Sequence, residues 1–343
     1  MLAGTLAACQ PVGPALIERD QVNYTAAILE AEKQQLLLNI VRLRYGDIPA
    51  LVRIDQIVAG YERRFSASIG SSVEPDLDFT DDFAISGQGQ ISDRPTYTIK
   101  PLQGADYARF LLRPIPPREL VGLLAGGAHL YTALGLAVER INGIPNDELL
   151  AGPEPPSGRF WRTIALLQDL RNDGLVQIDF VPDGDGDGER VYLSFVGAEG
   201  APRDERAASL VELLALDPEA PRYEVVLGVA PRERDEIAIW TRSLIEILSD
   251  VANGIDRDAD DPPRPRLVGQ RREPPRPPLE ISVAGGPLPP SDTFVRVEYG
   301  GRWYWIEDEA RWTKRAFSMI LLLTTILERD DVAPGTVLTI PAN

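Results

Sequence analysis

One long segment that lacks both glycine and proline constrains the fold of this chain more than any other. It runs from Tyr24 to Tyr45, is rich in alanine, leucine, glutamate, glutamine and lysine, and is followed by Gly46. This composition predicts a helix that ends at the glycine. Large aliphatic residues surround its second half on nearly every side, so we expect that half to be buried and central: Leu36, Leu37, Leu38, Ile40, Val41 and Leu43.

A polar stripe on the same helix leaves two interpretations open. Gln35, Asn39 and Arg42 lie at positions i, i+4 and i+7, which places them on one side of a helix. A buried Arg42 would require a carboxylate partner, because an unpaired buried charge is costly. Alternatively, Arg42 and Arg44 interact favourably with the negative end of the helix dipole, and this is the interpretation that we favour.

Two runs of alternating residues form the most unusual part of the sequence. Apolar or small positions alternate with polar ones over nine residues in each run, 65–73 and 83–91, and an acidic segment separates them. The pattern predicts a β-hairpin with one apolar face, whose large apolar residues are Phe65, Ile69, Val73, Phe83, Ile85 and Ile91. Strands of about nine residues also have the length needed to cross a bilayer. The hairpin therefore either covers a soluble core or, contributed by several subunits, closes into a sheet that crosses a membrane.

The remaining segments mix helices with short strands. Helices are predicted at 105–112, 118–124, 131–141, 159–170, 206–216, 234–253 and 308–327. Strands are predicted at 50–61, 96–100, 175–181, 190–196, 223–229, 279–283, 294–299, 302–306 and 337–340. We therefore expect an α+β fold of helices and mainly antiparallel hairpins, built around the long central N-terminal helix.

Proline-rich stretches suggest how the chain is divided. Four prolines between 145 and 158 predict a boundary between residues 10–150, which hold the helix, the hairpin and a helical segment, and an α+β part at 151–343. Within the second part, residues 255–278 consist largely of aspartate, arginine and proline. Such a segment is too polar to fold alone, so we expect an extended connector there.

Composition excludes some classes of protein. The chain of 343 residues carries a net charge of −17, whereas nucleic-acid binding depends on clustered lysine and arginine, so we expect no nucleic-acid partner. A single cysteine cannot form an internal disulfide bond. The longest apolar run, 316–327, has twelve residues where a membrane-spanning helix needs about 20. We expect this run to form a buried helix.

The single cysteine follows a short apolar run at the beginning of the chain. Residues 1–9, MLAGTLAAC, place Leu6, Ala7 and Ala8 before Cys9, which is the pattern of a bacterial lipobox, although the positive n-region of a complete signal peptide is missing. We interpret residues 1–9 as a truncated lipoprotein signal peptide and Cys9 as the lipidated residue. The alternative, a small buried hydrophobe, is less compatible with the polar, proline-containing stretch that follows. Gln10, rather than aspartate, after the cysteine favours the periplasmic face of the outer membrane.

Three groups of motifs together resemble a known family. They are QLLLNIVRLRYGD at 35–47, RPTYTIKPLQGADYARFLLRPIPP at 94–117 with AVERING at 137–143, and YWIEDEARWTKRAFSMILLL at 304–323 with VLTIP at 337–341. In this order they are similar to an uncharacterised group of Gram-negative bacterial lipoproteins, and they span most of the chain. The resemblance implies a lipidated cysteine, matched here by Cys9. It implies no activity, cofactor or catalytic residue.

The sequence offers little for a catalytic or metal site. His129 is the only histidine, and a zinc site needs three or four protein ligands. The acidic run PDGDGDGE begins like a calcium loop, but Ser194 stands where the bidentate glutamate belongs, so we favour a solvated hairpin tip. Trp303, Trp305 and Trp312 near Glu307 and Asp308 suggest either a sugar-binding groove or, as we favour, core packing. We expect no metal and no cofactor.

Three functions are compatible with these features. We favour a lipid-anchored, non-catalytic envelope protein that acts as a scaffold or partner-binding module, held at the membrane by its N-terminal lipid and binding other envelope proteins or further copies of itself. The first alternative is a subunit of a homo-oligomeric outer-membrane pore or secretion channel that inserts the hairpin at 65–91. The second alternative is a cell-wall or glycan-acting enzyme with paired carboxylates, although 52 acidic residues make any particular pair arbitrary.

The interpretation of Cys9 makes the first testable prediction. Cells that express the full-length product are grown with a clickable fatty-acid analogue, and the protein is purified and examined for the label. We expect the wild-type chain to be labelled and Cys9→Ser to remain unlabelled, since the thioether bond requires the thiol. A Cys9→Ser protein that carries as much label as the wild type would contradict lipidation at this residue.

Overall fold

The computed structural model describes most of the chain. The described residues are 12–58, 61–71, 83–93, 96–146, 158–183, 189–195, 204–253, 255, 279, 281–285, 291–329 and 339–341. The acidic segment at 74–82 and nearly all of the proline-rich connector predicted at 255–278 lie outside them, and so does Cys9.

Eight helices occur in the described residues. They are α1 (Val12–Arg44), α2 (Gly104–Leu112), α3 (Pro117–Ala125), α4 (Leu130–Ala137), α5 (Arg159–Asn172), α6 (Glu205–Leu213), α7 (Leu244–Ala252) and α8 (Arg311–Arg329). The described strands are β1 (Val52–Val58), β2 (Tyr61–Ser71), β3 (Phe83–Asp93), β4 (Thr96–Pro101), β5 (Val138–Ile141), β6 (Ile144–Pro145), β7 (Val176–Pro182), β8 (Glu189–Phe195), β9 (Tyr223–Leu227), β10 (Glu236–Thr241), β11 (Ser282–Gly285), β12 (Thr293–Tyr299), β13 (Arg302–Glu307) and β14 (Thr339–Pro341). Helices and mainly antiparallel strands confirm the predicted α+β class.

The chain divides into two compact units. One contains residues 1–49 and 105–332, and the other contains residues 50–104 and 333–343. The larger unit holds a six-stranded sheet whose strands come from both sides of position 150, because β5 and β6 precede it and β7 to β10 follow it. The compact units therefore do not coincide with the division at 150 that the proline-rich stretch suggested.

Helices cover one face of the six-stranded sheet. Its order is β6-β5-β10-β9-β8-β7, and only the β9–β10 pair is parallel. Helices α3, α4 and α5 lie against its strands, and α6 packs on α5. Fully or nearly fully buried side chains from both layers form the core between them: Leu120, Leu134, Ile164, Leu210, Val191, Leu193 and Ile237.

The second half of α1 is buried, as predicted. Leu37, Ile40 and Val41 have no exposed surface, and α1 packs against α7, α8 and the three-stranded sheet β11-β13-β12. The β12–β13 hairpin turns at Gly300 and Gly301, with φ angles of 59° and 76°. Two successive positive φ angles are the signature of a two-residue type I′ turn, which glycine adopts without strain.

The two arginines at the end of α1 are placed differently. Both lie in the last turn of the helix, where a cation interacts favourably with the helix dipole. Arg42 is half-buried, whereas Arg44 is only 3% exposed and lies 5.7 Å from the ring of Tyr45. The buried arginine of this helix is therefore Arg44 and not Arg42.

The predicted helix at 234–253 is wrong in its first half. Residues Glu236–Thr241 form β10, and α7 begins only after Ser243. The side chains of Ser243 and Glu246 form a capping box, which starts the helix at this point. The isoleucines of β10 lie against the helical layer while its backbone pairs with β5 and β9, so sheet pairing overrides a pattern that is also compatible with a helix.

The predicted helix at 131–141 is shortened for the same reason. It ends at Ala137, and Val138–Ile141 form β5. Asn142, with φ 46°, and Gly143, with φ 76°, then make the turn to β6. Asn–Gly is the preferred dipeptide of a type I′ turn, and this local signal marks a hairpin where apolar spacing suggested a helix.

A buried arginine ties several elements of the larger unit together. Arg242 is 2% exposed, its guanidinium donates to the carbonyl of Leu136 at 2.8 Å, and it lies 3.8 Å from the carboxylate of Asp250. Its backbone N–H donates to Ala137, and its carbonyl accepts from Ile115. The residue thus joins β10 to α4, α7 and the segment before α3.

Ala215 makes a prediction about stability, because its φ angle is 55°. It occupies the position after the cap of α6, where Leu216 donates to Val211 and Ala215 donates to Glu212 in a Schellman arrangement. Glycine adopts this conformation without the cost that a Cβ imposes, so Ala215→Gly is expected to raise the free energy of unfolding by about 1 kcal/mol. Urea denaturation measures the difference.

The matched control is Ala208→Gly, on the exposed side of the same helix. Glycine inside a helix is unfavourable, so this variant is expected to lower the free energy of unfolding by about 1 kcal/mol. Equal destabilisation by both substitutions would contradict the assignment of strain to Ala215.

Candidate functional site

The ladder between β2 and β3 is the candidate functional site. Eleven residue pairs extend from Tyr61–Asp93 at one end to Ser71–Phe83 at the other. The predicted hairpin is therefore confirmed, and its strands are 11 residues long rather than nine. Val73 lies outside the described residues.

The register pairs the apolar runs of the two strands with each other. Ile69 lies opposite Ile85, and Phe65 lies opposite Gly89. Ile91 lies opposite Arg63, which precedes the alternating run 65–73. Phe83 lies opposite Ser71. Five of the six predicted hairpin residues thus lie on the β2–β3 ladder, and among these five only Ile69 and Ile85 are paired with each other in the register.

A second ladder continues the first in the same register. Strands β1 and β4 pair up to Val58–Thr96, and β2 and β3 resume at Tyr61–Asp93. Two residues separate the ladders on each strand, so the two ladders have the same register. Strand β14 pairs with β4 and makes the β1–β4 end three-stranded. The β2–β3 ribbon is thus the distal part of one long antiparallel hairpin.

The β2–β3 ribbon pairs with no other described strand. Each outer edge therefore carries main-chain N–H and C=O groups that no neighbouring described strand uses. A two-stranded hairpin is at best marginally stable by itself in water, and an unpaired edge is a template for another strand. Pairing with a further chain would satisfy these groups and stabilise the ribbon.

Helix α1 extends well beyond its buried half. It has 33 residues and so a length of about 50 Å at 1.5 Å per residue. Between Val22 and Glu32 the exposed residues occur on all sides of the helix, with Val22 65% and Leu29 50% exposed. The helix begins at Val12, and Cys9, the predicted lipidated residue, lies just before it, outside the described residues.

His129 has a local structural role. It is the exposed residue that precedes α4, and its Nδ1 lies 3.3 Å from the hydroxyl of Thr132. Partial burial and the nearby charges of Arg315 and Arg171 lower the pKa of the imidazole, which favours its neutral form. In the part of the chain that the structure describes, no group of three histidine, cysteine or acidic residues is arranged to hold a metal ion.

The acidic hairpin tip and the tryptophans are engaged in local contacts. Asp183 accepts a hydrogen bond from Arg190 at 3.1 Å, and Ser194 lies in β8; residues 184–188 are outside the described set. Trp305 is 8% exposed, and its indole N–H donates to Glu307 at 2.5 Å. Trp303, by contrast, is half-buried.

Three tyrosines form a cluster that the sequence patterns did not predict. The hydroxyls of Tyr45 and Tyr304 are 2.6 Å apart, and the rings of Tyr45 and Tyr299 stack with centroids 5.6 Å apart. Tyr299 also donates a hydrogen bond to the carboxylate of Asp47. The cluster joins the end of α1 to the β12–β13 hairpin. Two sequence motifs, RLRYGD and YWIEDE, contribute residues to this cluster and could have indicated it.

Tyr299 makes a prediction about pH. The hydrogen bond to Asp47 raises the pKa of Tyr299 above its usual value of 10.0, with burial and the charge of Asp47 as further causes. The bond requires the protonated phenol, so its stabilising effect is complete below pH 10 and is lost as the pH rises through the raised pKa. Tyr299→Phe is therefore expected to be less stable than the wild type at pH 8, and the difference is expected to shrink above pH 10.

Urea denaturation between pH 8 and pH 11 measures that difference. Phe180→Leu, in the other sheet of the same unit, serves as the control, because it removes no ionisable group and should leave the pH dependence as in the wild type. A gap between the wild type and Tyr299→Phe that stays constant across the range would contradict the role of the protonated phenol.

Comparison with known proteins adds no relative: no family model, no curated protein and no solved structure matches the chain. Among the described residues, no helix combines the length and the apolar character needed to span a membrane. The geometry of the β2–β3 ribbon is therefore the main guide to function.

Proposed function

We propose that this protein is a lipid-anchored, non-catalytic envelope protein that acts as a scaffold and binds its partners through the β2–β3 ribbon. The observation that carries the proposal is that this 11-pair ladder is hydrogen-bonded to no other described strand. Unpaired strand edges bind extended segments of other chains by adding a strand to the sheet, with main-chain hydrogen bonds supplying much of the affinity.

The anchor at Cys9 and helix α1 complement the ribbon. A lipid on Cys9 would tether the protein to the periplasmic face of the outer membrane. Most residues between 22 and 32, which precede the buried half of α1, are exposed, so the helix is suited to act as a spacer between the membrane surface and the folded body. A single acyl chain gives only reversible membrane binding, whereas two or three chains give stable attachment. A lipidated lipobox cysteine would carry two or three chains.

A homo-oligomeric pore is the second candidate, and the length of the strands favours it. Eleven residues extend about 36 Å at 3.3 Å per residue, which matches the 9–11 residues that a tilted strand needs to cross the bilayer. Copies of the ribbon arranged in a ring would pair every edge, which the membrane interior requires. In this case the partner is a second copy of the chain, and the lipid anchor holds each copy beside the bilayer.

Removal of the ribbon tests the proposal. Val58 lies opposite Thr96 in the β1–β4 ladder, so residues 59–95 can be replaced by a four-residue turn that contains glycine without disturbing that ladder. We expect the wild type to capture partner chains when it is crosslinked in living cells and the excised variant to lose them. The variant should retain the helical circular dichroism of the larger unit.

The control replaces the loop of a different hairpin with the same four-residue turn. Replacing residues 184–188, between β7 and β8, should leave the crosslinked partners unchanged. The proposal would be contradicted if the ribbon-deleted protein still captured the same crosslinked partners. The mass of the detergent-extracted complex then separates the two candidates: a ring of identical chains whose ribbon is protected from protease only in lipid vesicles indicates the pore, and a mixed complex indicates the scaffold.

A further inference from the structure

A groove of about 400 Å³ lies between α1 and the edge of the three-stranded sheet in the larger unit. The groove is shallow and open to solvent along its length. Helix α1 contributes one wall, and strands β12 and β13 contribute the other. The residues that line it are Gln34, Gln35, Leu38, Arg296, Val297, Glu298 and Trp303.

Trp303 is the only aromatic residue in this lining. Trp303 is half-buried. Its neighbour Trp305 is only 8% exposed, and the indole N–H of Trp305 already donates a hydrogen bond to Glu307. Glu298 lies directly opposite Trp303 in the β12–β13 ladder, and residues opposite each other in an antiparallel pair are close neighbours. An accessible indole therefore has a carboxylate beside it.

The other polar groups of the groove have planar ends. Arg296 and Glu298 are exposed. Gln34 and Gln35 add amide groups from the facing wall of α1, where Gln34 donates to Glu30 at 3.1 Å. The lining thus combines a guanidinium, a carboxylate and two amides, which offer both donors and acceptors.

We propose that this groove binds an uncharged saccharide segment of a glycan. A pyranose ring has a face of C–H groups, which packs against an indole, and a rim of hydroxyls, each able to donate and accept a hydrogen bond as the surrounding side chains require. One cation and one anion give the lining no net formal charge. A phosphate or nucleotide ligand would require an excess of cations, so the neutral lining favours a neutral ligand.

This site is independent of the function proposed above. The groove lies in the unit formed by residues 1–49 and 105–332, whereas the ribbon belongs to the other unit. It also differs from a glycan-cleaving centre, because Glu298 is the only carboxylate among the lining residues and glycoside hydrolysis uses a pair. The groove would hold a glycan without cleaving it.

Isothermal titration calorimetry with three neutral trisaccharides, tri-N-acetylchitotriose, cellotriose and maltotriose, tests the proposal on the full chain. We expect the wild type to bind at least one of them and Trp303→Ala to weaken that binding at least about tenfold, since buried aromatic contacts dominate small interfaces. Glu298→Gln should weaken it less, because the amide keeps one acceptor but loses the charge-assisted hydrogen bond.

Phe180→Ala is the control, because it removes an exposed aromatic residue from the six-stranded sheet and should bind as the wild type does. If Trp303→Ala fails to fold, Glu298→Gln and Gln34→Ala decide the question, since both alter exposed side chains. The proposal is overturned if the wild type binds none of the three sugars at millimolar concentration. Affinity unchanged in all groove variants would also overturn it, and so would equal loss in Phe180→Ala.

Discussion

One buried guanidinium, that of Arg242, connects several elements of the larger unit. Arg242 follows the central strand β10 and bonds to the carbonyl of Leu136 with Asp250 nearby, so the end of α4, the last turn of α7 and the sheet meet at one point. Removing one partner of such a group leaves a buried charge without compensation, which costs several kcal/mol. The backbone bonds of Arg242 to Ala137 and Ile115 place two more segments by the same contact. The helical layer that covers the six-stranded sheet is thereby held in one arrangement.

The second unit differs from the larger one because part of it has strand edges that no described strand covers. Its long hairpin obtains hydrogen bonds along β1–β4 and β2–β3, but β14 adds a third strand only beside β4. The distal ribbon has two edges that no described strand covers, and edges of this kind are normally shortened, charged or covered in a monomeric protein. Its register pairs Ile69 with Ile85, and in the function that we propose the uncovered edges bind another chain. The groove beside Trp303, in the other unit, is proposed as a separate binding site.

Local chemistry made much of the fold predictable. The burial of Leu37, Ile40 and Val41 follows from aliphatic residues on all sides of one helix, and the turn at Gly300–Gly301 follows from the need for two positive φ angles. The prediction failed where apolar residues satisfy two periods at once. In 234–241 the spacing is compatible with a helix, and only pairing with β5 and β9 selects the strand. The candidate ribbon was visible because strict alternation has no helical interpretation, but its length and its unpaired edges were not.

The sequence by itself determined the class of the fold, the central helix and the hairpin, whereas lipidation of Cys9 stays a prediction. These features depend on periodicity, turn residues and composition, which act over a few neighbouring positions. Only the tertiary structure decided that β10 is a strand, that Arg44 and Arg242 are buried, and that Tyr45, Asp47, Tyr299 and Tyr304 form one cluster. Such contacts join residues more than 250 positions apart, as between Tyr45 and Tyr304. Local patterns carry no information about which distant segment will satisfy a buried polar group.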